Sequence, residues 1–571
     1  MSKQKSLLIG QSDFKKFRQY DGYYVDKSLF IQEVIEMGYM VLLLPRPRRF
    51  GKTLNLSMLR YFFEKSDVNH ADLFTDLAIR DTPLFEEHQG RYPVIFLTFK
   101  DQKADSWPSL LRLLSNLIRA EFWRHRYLLE TDILGGPEKR YFQTILDGKA
   151  KAEDYSQALL YLSAFLARFH KEDVVILIDE YDTPIQSGYL QGYYEPVLTF
   201  MRNLLSGGLK DNEHLRKGVL TGILRVAKES IFSSLNNPGV FTVLSQEFNT
   251  IFGFTTSEVK TMLDYYGLGE QYNLVAHWYD GYLFGGEVIY NPWSVLNYVT
   301  SRDKQFRPYW LNTGSTDLID RLMTRSGAEL RGELEQLLAG QTVTRPIYDS
   351  IVMRDLGRRD NLVWSFLLFS GYLTVVEQVD MVQYKLRIPN YELVHIYQDL
   401  IRIWFEEKVK LPQLETMLTA LEQGDVYLFE RMLRIIVTEV MSYHDLSGSP
   451  EKVYQALVLG MLVWLAPKYE IRTNREAGYG RYDMMFKPKL PPSEGEGNVQ
   501  RAGIILEFKR VDDDQKPETV LEDALQQIKD KAYTTELQAA GVTDILQIAV
   551  AFQGKKMWLK HETTSDTARG I

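Results

Sequence analysis

The chain has 571 residues and no cysteine. That excludes disulfide staples and cysteine-based zinc sites, and it fits a reducing compartment. Long apolar runs are missing too. The longest stretch, "YQALVLGMLVWLAP" from Tyr454, is too short to span a bilayer. The opening "MSKQKSLLIGQSDF" lacks the apolar centre of a signal peptide. These absences lead to the expectation of a cytoplasmic protein with no membrane partner. Nor is there an excess of positive charge: the net charge is −8, so nothing global announces nucleic acid. The nine histidines are scattered, with no His-Glu-x-x-His or similar metal spacing. There is no repeat of fixed period.

What remains is ordinary globular material, 45% hydrophobic and 25% charged. Up to about residue 240, short apolar runs alternate with helical patterns, which predicts α/β architecture. From there to about 440 the pattern is mostly helical, and the end returns to mixed α/β. Loop signals concentrate late, at 446–452, 487–503 and 511–518.

"LLLPRPRRFGKTLNLSML" (42–59) carries the first chemistry. The apolar run Tyr39–Pro45 reads as a buried strand, and Leu54, Leu56, Met58, Leu59, Phe62 and Phe63 form a helical apolar face. Gly51-Lys52-Thr53 between them is how a phosphate loop enters its helix. The amides point at the anion, Lys52 would neutralise phosphate and Thr53 would hold Mg²⁺. Arg46 stands where such loops usually place a first glycine, and Arg46, Arg48 and Arg49 add positive charge, so a solvated basic loop is the competing reading of this segment. "DVVILIDEYD" (173–182) then supplies a buried strand ending in Asp179, suited to the Mg²⁺ shell, and Glu180, suited to orienting a water. "GVLTGILRVAKES" (218–230) reads as a further strand with Thr221 and Arg225 near its end. Arg225 suits a γ-phosphate contact and a surface cation equally. The aromatic stretches at 277–286 and 289–299 read as the core and turns of a small domain rather than base-stacking platforms.

The C-terminal part offers a second constellation. "NREAGYGRYDMMF" (474–486) places Glu476 before a glycine-rich turn and Asp483 at the start of a strand. In "AGIILEFKR" (502–510), Ile505, Glu507 and Lys509 share one face, and Ile504, Leu506 and Phe508 the other. If the segments pair, Asp483 approaches Glu507. Two carboxylates could then hold Mg²⁺ against a phosphate while Lys509 positions water. Gln527 and Lys531 share a helix face downstream. A surface hairpin with a Glu–Lys pair is the alternative. Residues 401–571 carry 22 basic and 26 acidic side chains, so charge gives no sign of a nucleic-acid-binding face there.

Together these segments resemble the bacterial and archaeal proteins that join an AAA-ATPase-like domain to a C-terminal PD-(D/E)XK nuclease-superfamily domain. The likeness rests on "IGQSDFKKFR", "YYVDKSLFI", "LLPRPRRFGKTLNLSMLRYFF", "YPVIFLTFKD", "LIDEYDTPI", "LTGILRVAKESIFSSLNN", "FGFTTSEV", "WYDGYLFGG" and "IYNPWSVLNY", then on the order Glu-x-Gly-x-Gly-Arg-x-Asp, Glu-x-Lys, Gln-Ile. Arg-Pro-Arg-Arg-Phe-Gly-Lys is usual in that family, so the resemblance favours a nucleotide site. It implies an α/β fold with a P-loop AAA-like ATPase core (1–245), a helical or winged-helix lid (246–400) and a restriction-endonuclease-like domain (401–571). It implies ATP and Mg²⁺ as cofactors, with Arg48, Arg49, Phe50, Gly51, Lys52, Thr53, Asp179 and Arg225 binding the nucleotide and Glu180 catalytic. Asp483, Glu507 and Lys509 would be the nuclease core, supported by Glu476 and Gln527, with Glu451 a further carboxylate. Thr53, Asp179, Asp483 and Glu507 would be the metal ligands. The family often has a histidine where this chain has Gln455. The expected activity is an ATPase gating a nuclease, with nucleic acid, DNA favoured, as partner. Defence against foreign DNA and a homo-oligomeric state are compatible with it. The alternative is a nucleotide switch whose nuclease-like domain binds without cutting.

Overall fold

The computed structural model describes residues 4–210, 212–225, 238–310, 333–349 except 335 and 339, 361–397, 411–440, 465, 468–477, 480–489, 501–512, 515–553 and 556–564. Two compact units result, residues 1–322 with 344–393, and residues 323–343 with 394–571.

The first unit is built on a five-stranded parallel sheet of β1 (Val41–Pro45), β2 (Val94–Thr98), β3 (Val174–Asp179), β4 (Leu215–Gly222) and β5 (Gly239–Val240), in the order β2-β3-β4-β1-β5. Every residue of β1 and β3 is buried. Their continuous apolar runs are what a parallel sheet covered on both faces requires. The phosphate-loop helix α1 (Lys52–Phe63) leaves β1 directly. One strand, β4, lies between β1 and β3, so the acidic strand does not adjoin the loop strand but reaches the same sheet end across it.

The rest of this unit departs from the mostly helical pattern of the sequence. Short antiparallel strands β6 (Phe254–Thr255), β7 (Tyr282–Phe284) and β8 (Glu287–Tyr290) form one sheet, in the order β6-β8-β7. Strands β9 (Val343–Pro346), β10 (Thr374–Gln378) and β11 (Gln383–Arg387) form another. Strands of two to five residues are too short for a period-two pattern to register in sequence. Helices Thr256–Tyr265, Tyr272–Tyr279 and α2 (Pro292–Thr300) pack around Val259, Met262, Tyr279, Tyr290 and Tyr298. The aromatic stretches are therefore core, as their composition suggests.

The second unit holds the sheet β12 (Tyr469–Ala477), β13 (Gly480–Pro488), β14 (Gly503–Arg510), β15 (Ile545–Gln553) and β16 (Lys556–Thr564), in sequential order. Only β14 and β15 are parallel, and helix α3 (Pro517–Asp530) lies between them in the chain. Helices Leu411–Glu422 and Val426–Val440 share a core with Ile504, Leu506 and Phe508, while α3 packs with Ile505. The period-two division of β14 is thus the division between two cores. Among the described residues, no helix is long and apolar enough to cross a membrane.

Candidate active sites

At the C-terminal end of the parallel sheet, Asp179 closes β3 and is fully buried. Its carboxylate accepts hydrogen bonds from the hydroxyls of Thr53 (2.8 Å) and Thr98 (3.2 Å) on Oδ2 and of Thr221 (2.7 Å) on Oδ1. Sheet register explains the gathering: Thr98 is the β2 neighbour of Asp179, and Thr221 sits near the end of β4. Glu180 follows in a left-handed conformation, φ 51°. It accepts from the Thr183 hydroxyl at 3.3 Å, and burial pushes its carboxyl up against the attraction of Lys52.

The loop Arg46–Gly51 turns into α1 through Gly51 at φ 84°, where a side chain would be strained. Lys52 is buried and donates to the carbonyls of Arg46 (3.0 Å) and Pro47 (2.8 Å). Burial lowers its pKa, opposed by Glu180, Asp179 and Asp182. Arg46 does not face this site. Its fully buried guanidinium donates to the carbonyls of Pro45 (2.9 Å), Phe241 (2.6 Å) and Phe248 (3.0 Å), and lies over the rings of Phe252 and Phe284. The expectation that Arg46 adds to the loop's outward charge is corrected: three carbonyls hold it inside, and it replaces glycine's freedom with a fixed anchor. The Phe50 ring is likewise buried, against Tyr282 and Phe284.

A cavity of about 370 Å³ opens over the loop, within the range of small-molecule sites. Arg48, Arg49, Phe50, Gly51, Lys52, Thr53 and Glu180 line it, with apolar Leu8, Val25, Phe254 and Leu296. Asp179 stands behind Thr53. Arg225 is not among the lining residues; it lies three residues beyond β4 and pairs with Asp349. The rest of its sequence segment, 226–230, lies outside the described residues.

In the second unit, β13 pairs antiparallel with β14 through Met484↔Leu506, which sets Asp483 opposite Glu507. The amide of Phe508 donates to Asp483 Oδ2 at 2.8 Å. Glu507 is 2% exposed and accepts from Lys509 Nζ (3.0 Å) and Gln527 Nε2 (2.6 Å) on Oε1. Gln527, on α3, also reaches the Tyr533 hydroxyl at 3.1 Å. Asp483, Glu507, Lys509 and Gln527 are therefore brought together. Glu476 lies in β12, but its side chain falls outside the described residues, as do Glu451 and Gln455.

Residues 8–232 match the family model described as a predicted AAA-ATPase, and residues 449–562 match the PD-(D/E)XK nuclease superfamily. The chain joins an AAA-ATPase-like domain to a PD-(D/E)XK nuclease-like domain. A protein of Azotobacter chroococcum mcd 1, described as an uncharacterized protein in the vnfD 5' region, is 27% identical over 553 residues, 94% of each chain. Among solved structures, the Walker-type ATPase PABY2304 of Pyrococcus abyssi aligns with a TM-score of 0.32 and 13% identity, over 70% of this chain and 99% of that one, a likeness too slight to bear on function.

Among the described residues there is no group of three or more His, Cys, Asp or Glu side chains able to hold an ion. Each domain offers two hard oxygen donors instead: Thr53 with Asp179 in the AAA-like domain, and Asp483 with Glu507 in the nuclease-like domain. That donor set fits Mg²⁺, which characteristically takes one or two protein carboxylates and completes its shell with phosphate oxygens and water.

Two residues of the AAA-like site escape the sequence reading. Thr98 ends the apolar run "VIFLT", and a hydroxyl closing a buried strand is the signal that could have found it. Asp182 is buried and accepts from the amides of Ile223 and Leu224, both at 3.0 Å, so it ties the end of β4 to the acidic turn. Burial pushes its carboxyl up, opposed by those amides.

Proposed function

We propose that the protein is a Mg²⁺-dependent ATPase whose nucleotide state gates a PD-(D/E)XK-type DNA nuclease. The observation that carries this reading is that one chain holds both a Lys52–Thr53–Asp179 cluster at the end of the parallel sheet and an Asp483–Glu507–Lys509 cluster. In the first, Lys52 has three N–H donors and spends two on loop carbonyls, which leaves one for a phosphate oxygen. Thr53 and Asp179 would hold Mg²⁺, and Arg48 and Arg49 would meet the outer phosphates. Glu180, beside Lys52, would accept a proton from the attacking water, and Arg225 would act as a sensor only after exchanging Asp349 for phosphate.

In the second, Asp483 and Glu507 would hold Mg²⁺, which when bound neutralises the charge that builds on the scissile phosphate. Lys509, bonded to Glu507, would orient the water. Gln527 keeps Glu507 aimed.

The test is incubation of the purified protein with single- and double-stranded DNA and RNA, with and without ATP and Mg²⁺. Mg²⁺-dependent cleavage that responds to ATP supports the proposal. Nucleic-acid binding without cleavage under every metal and nucleotide condition supports the switch alternative instead.

A further inference from the structure

The phosphate loop is gripped from the second half of its own unit. Arg49 is exposed, has φ 68°, and its guanidinium lies 4.1 Å from the centre of the Trp293 ring, at the start of α2. The carbonyl of Arg48 accepts from the indole Nε1 of Trp310 at 3.4 Å. Pro47 abuts Gly371, where an added Cβ would come within 2.8 Å of the proline Cβ. A non-glycine residue at positive φ persists only where its surroundings over-determine it, and these contacts are such surroundings.

Both tryptophans trace back to one buried group. Glu392 is fully buried. Its carboxylate accepts from the Ser294 hydroxyl at 3.0 and 2.8 Å and from the backbone N–H of Trp310 at 2.8 Å. Ser294 is the chain neighbour of Trp293. These partners of Glu392 are all donors, which suits an acceptor-only carboxylate, and each is within one residue of a tryptophan that touches the loop. Glu392 is not among the residues lining the cavity.

We propose that Glu392 is a positioning residue for the nucleotide site, setting the path of Arg48 and Arg49 through Trp310 and Trp293. The inference rests on the nucleotide-binding reading of the loop. It makes Trp293 and Trp310 reporters of occupancy, because phosphate that draws the Arg49 guanidinium or shifts the backbone of Arg48 must change the surroundings of an indole.

The test combines calorimetric ATP and ADP titration with tryptophan emission, using the full chain in Mg²⁺. Wild type should bind nucleotide with a change in emission, most of which Trp293→Phe removes. Glu392→Leu should weaken binding by roughly fivefold to tenfold, the scale of one lost hydrogen bond, with a reduced emission response. Glu392→Gln, which keeps one acceptor, should recover part of both. Trp310→Phe and Ser294→Ala serve if Glu392→Leu does not fold, and each should weaken binding in the same direction. Wild-type affinity and emission response in folded Glu392 variants, with only a lower melting temperature, would overturn the positioning role and leave the nucleotide reading intact. Failure of wild type to bind any nucleotide would overturn both.

Discussion

Glu507 is where the chemistry of the second unit concentrates: a carboxylate almost wholly out of solvent, with an ammonium and an amide on one oxygen. Changing it to Gln, or Asp483 to Ala, should lower Mg²⁺-dependent cleavage by on the order of a hundredfold or more, because charge stabilisation of the phosphate is lost. ATP turnover should stay at the wild-type rate. Cleavage that survives both changes would place the nuclease site elsewhere. In the first unit, Lys52→Ala should abolish ATP binding in calorimetry, and Glu180→Gln should bind ATP while hydrolysing it slowly. Glu392 allows a separate test by pH. Burial raises its carboxyl from 4.5 to about 7, against hydrogen bonds from Trp310 and Ser294. The folded chain then keeps a proton that the unfolded chain has released, so this group costs stability increasingly as pH rises from 4.5 to 7, and fully above that. Melting temperatures of Glu392→Gln relative to wild type should therefore be more favourable at pH 8 than at pH 5. Lys52, Thr53 and Asp179 were legible as candidates because their motifs are local in sequence. Arg46 was not, since the carbonyls that hold it belong to Phe241 and Phe248, some two hundred residues away.

At the scale of elements, strands and turns decide which side chains meet. The two faces of β14 could be read from alternation alone, since each residue of "IILEFK" changes side. Sheet order could not: the interposition of β4, which brings Thr221 onto Asp179, is a long-range choice that leaves no local periodicity. The small sheets of the first unit were hidden for the same reason of length. One turn there carries a prediction. Gly371 has φ 89° and packs on Pro47. Gly371→Ala should cost roughly 1 kcal/mol or more through backbone strain. Its Cβ should also displace the phosphate loop, so ADP affinity should fall along with the melting temperature. An unchanged affinity would show that the loop keeps its path without this contact.

The molecule as a whole divides into two compact units, and the proposed coupling makes a claim about both. If nucleotide gates cleavage, Lys52→Ala should reduce nuclease activity even though Asp483 and Glu507 are untouched. If the units merely share a chain, cleavage by Lys52→Ala should equal that of wild type. Calorimetry gives an independent view. ATP with Mg²⁺ at a hundred times its dissociation constant should stabilise the unit that binds it by about 2.7 kcal/mol. A second transition that does not move would mark the other unit as thermodynamically separate, and joint movement would mark coupling.

The buried guanidinium of Arg46 bears on how such a loop could ever be exchanged for a glycine-rich one. Its three carbonyl partners and two aromatic neighbours lie on three separate stretches of chain, at Pro45, at 241–252 and at Phe284. A single Arg46→Gly step toward the commoner motif strips those carbonyls of their donor and leaves a hole in their place. The two kinds of loop are thus separated by a valley of unstable intermediates. A designer, or a lineage drifting by one substitution at a time, would have to rebuild the socket before altering the plug.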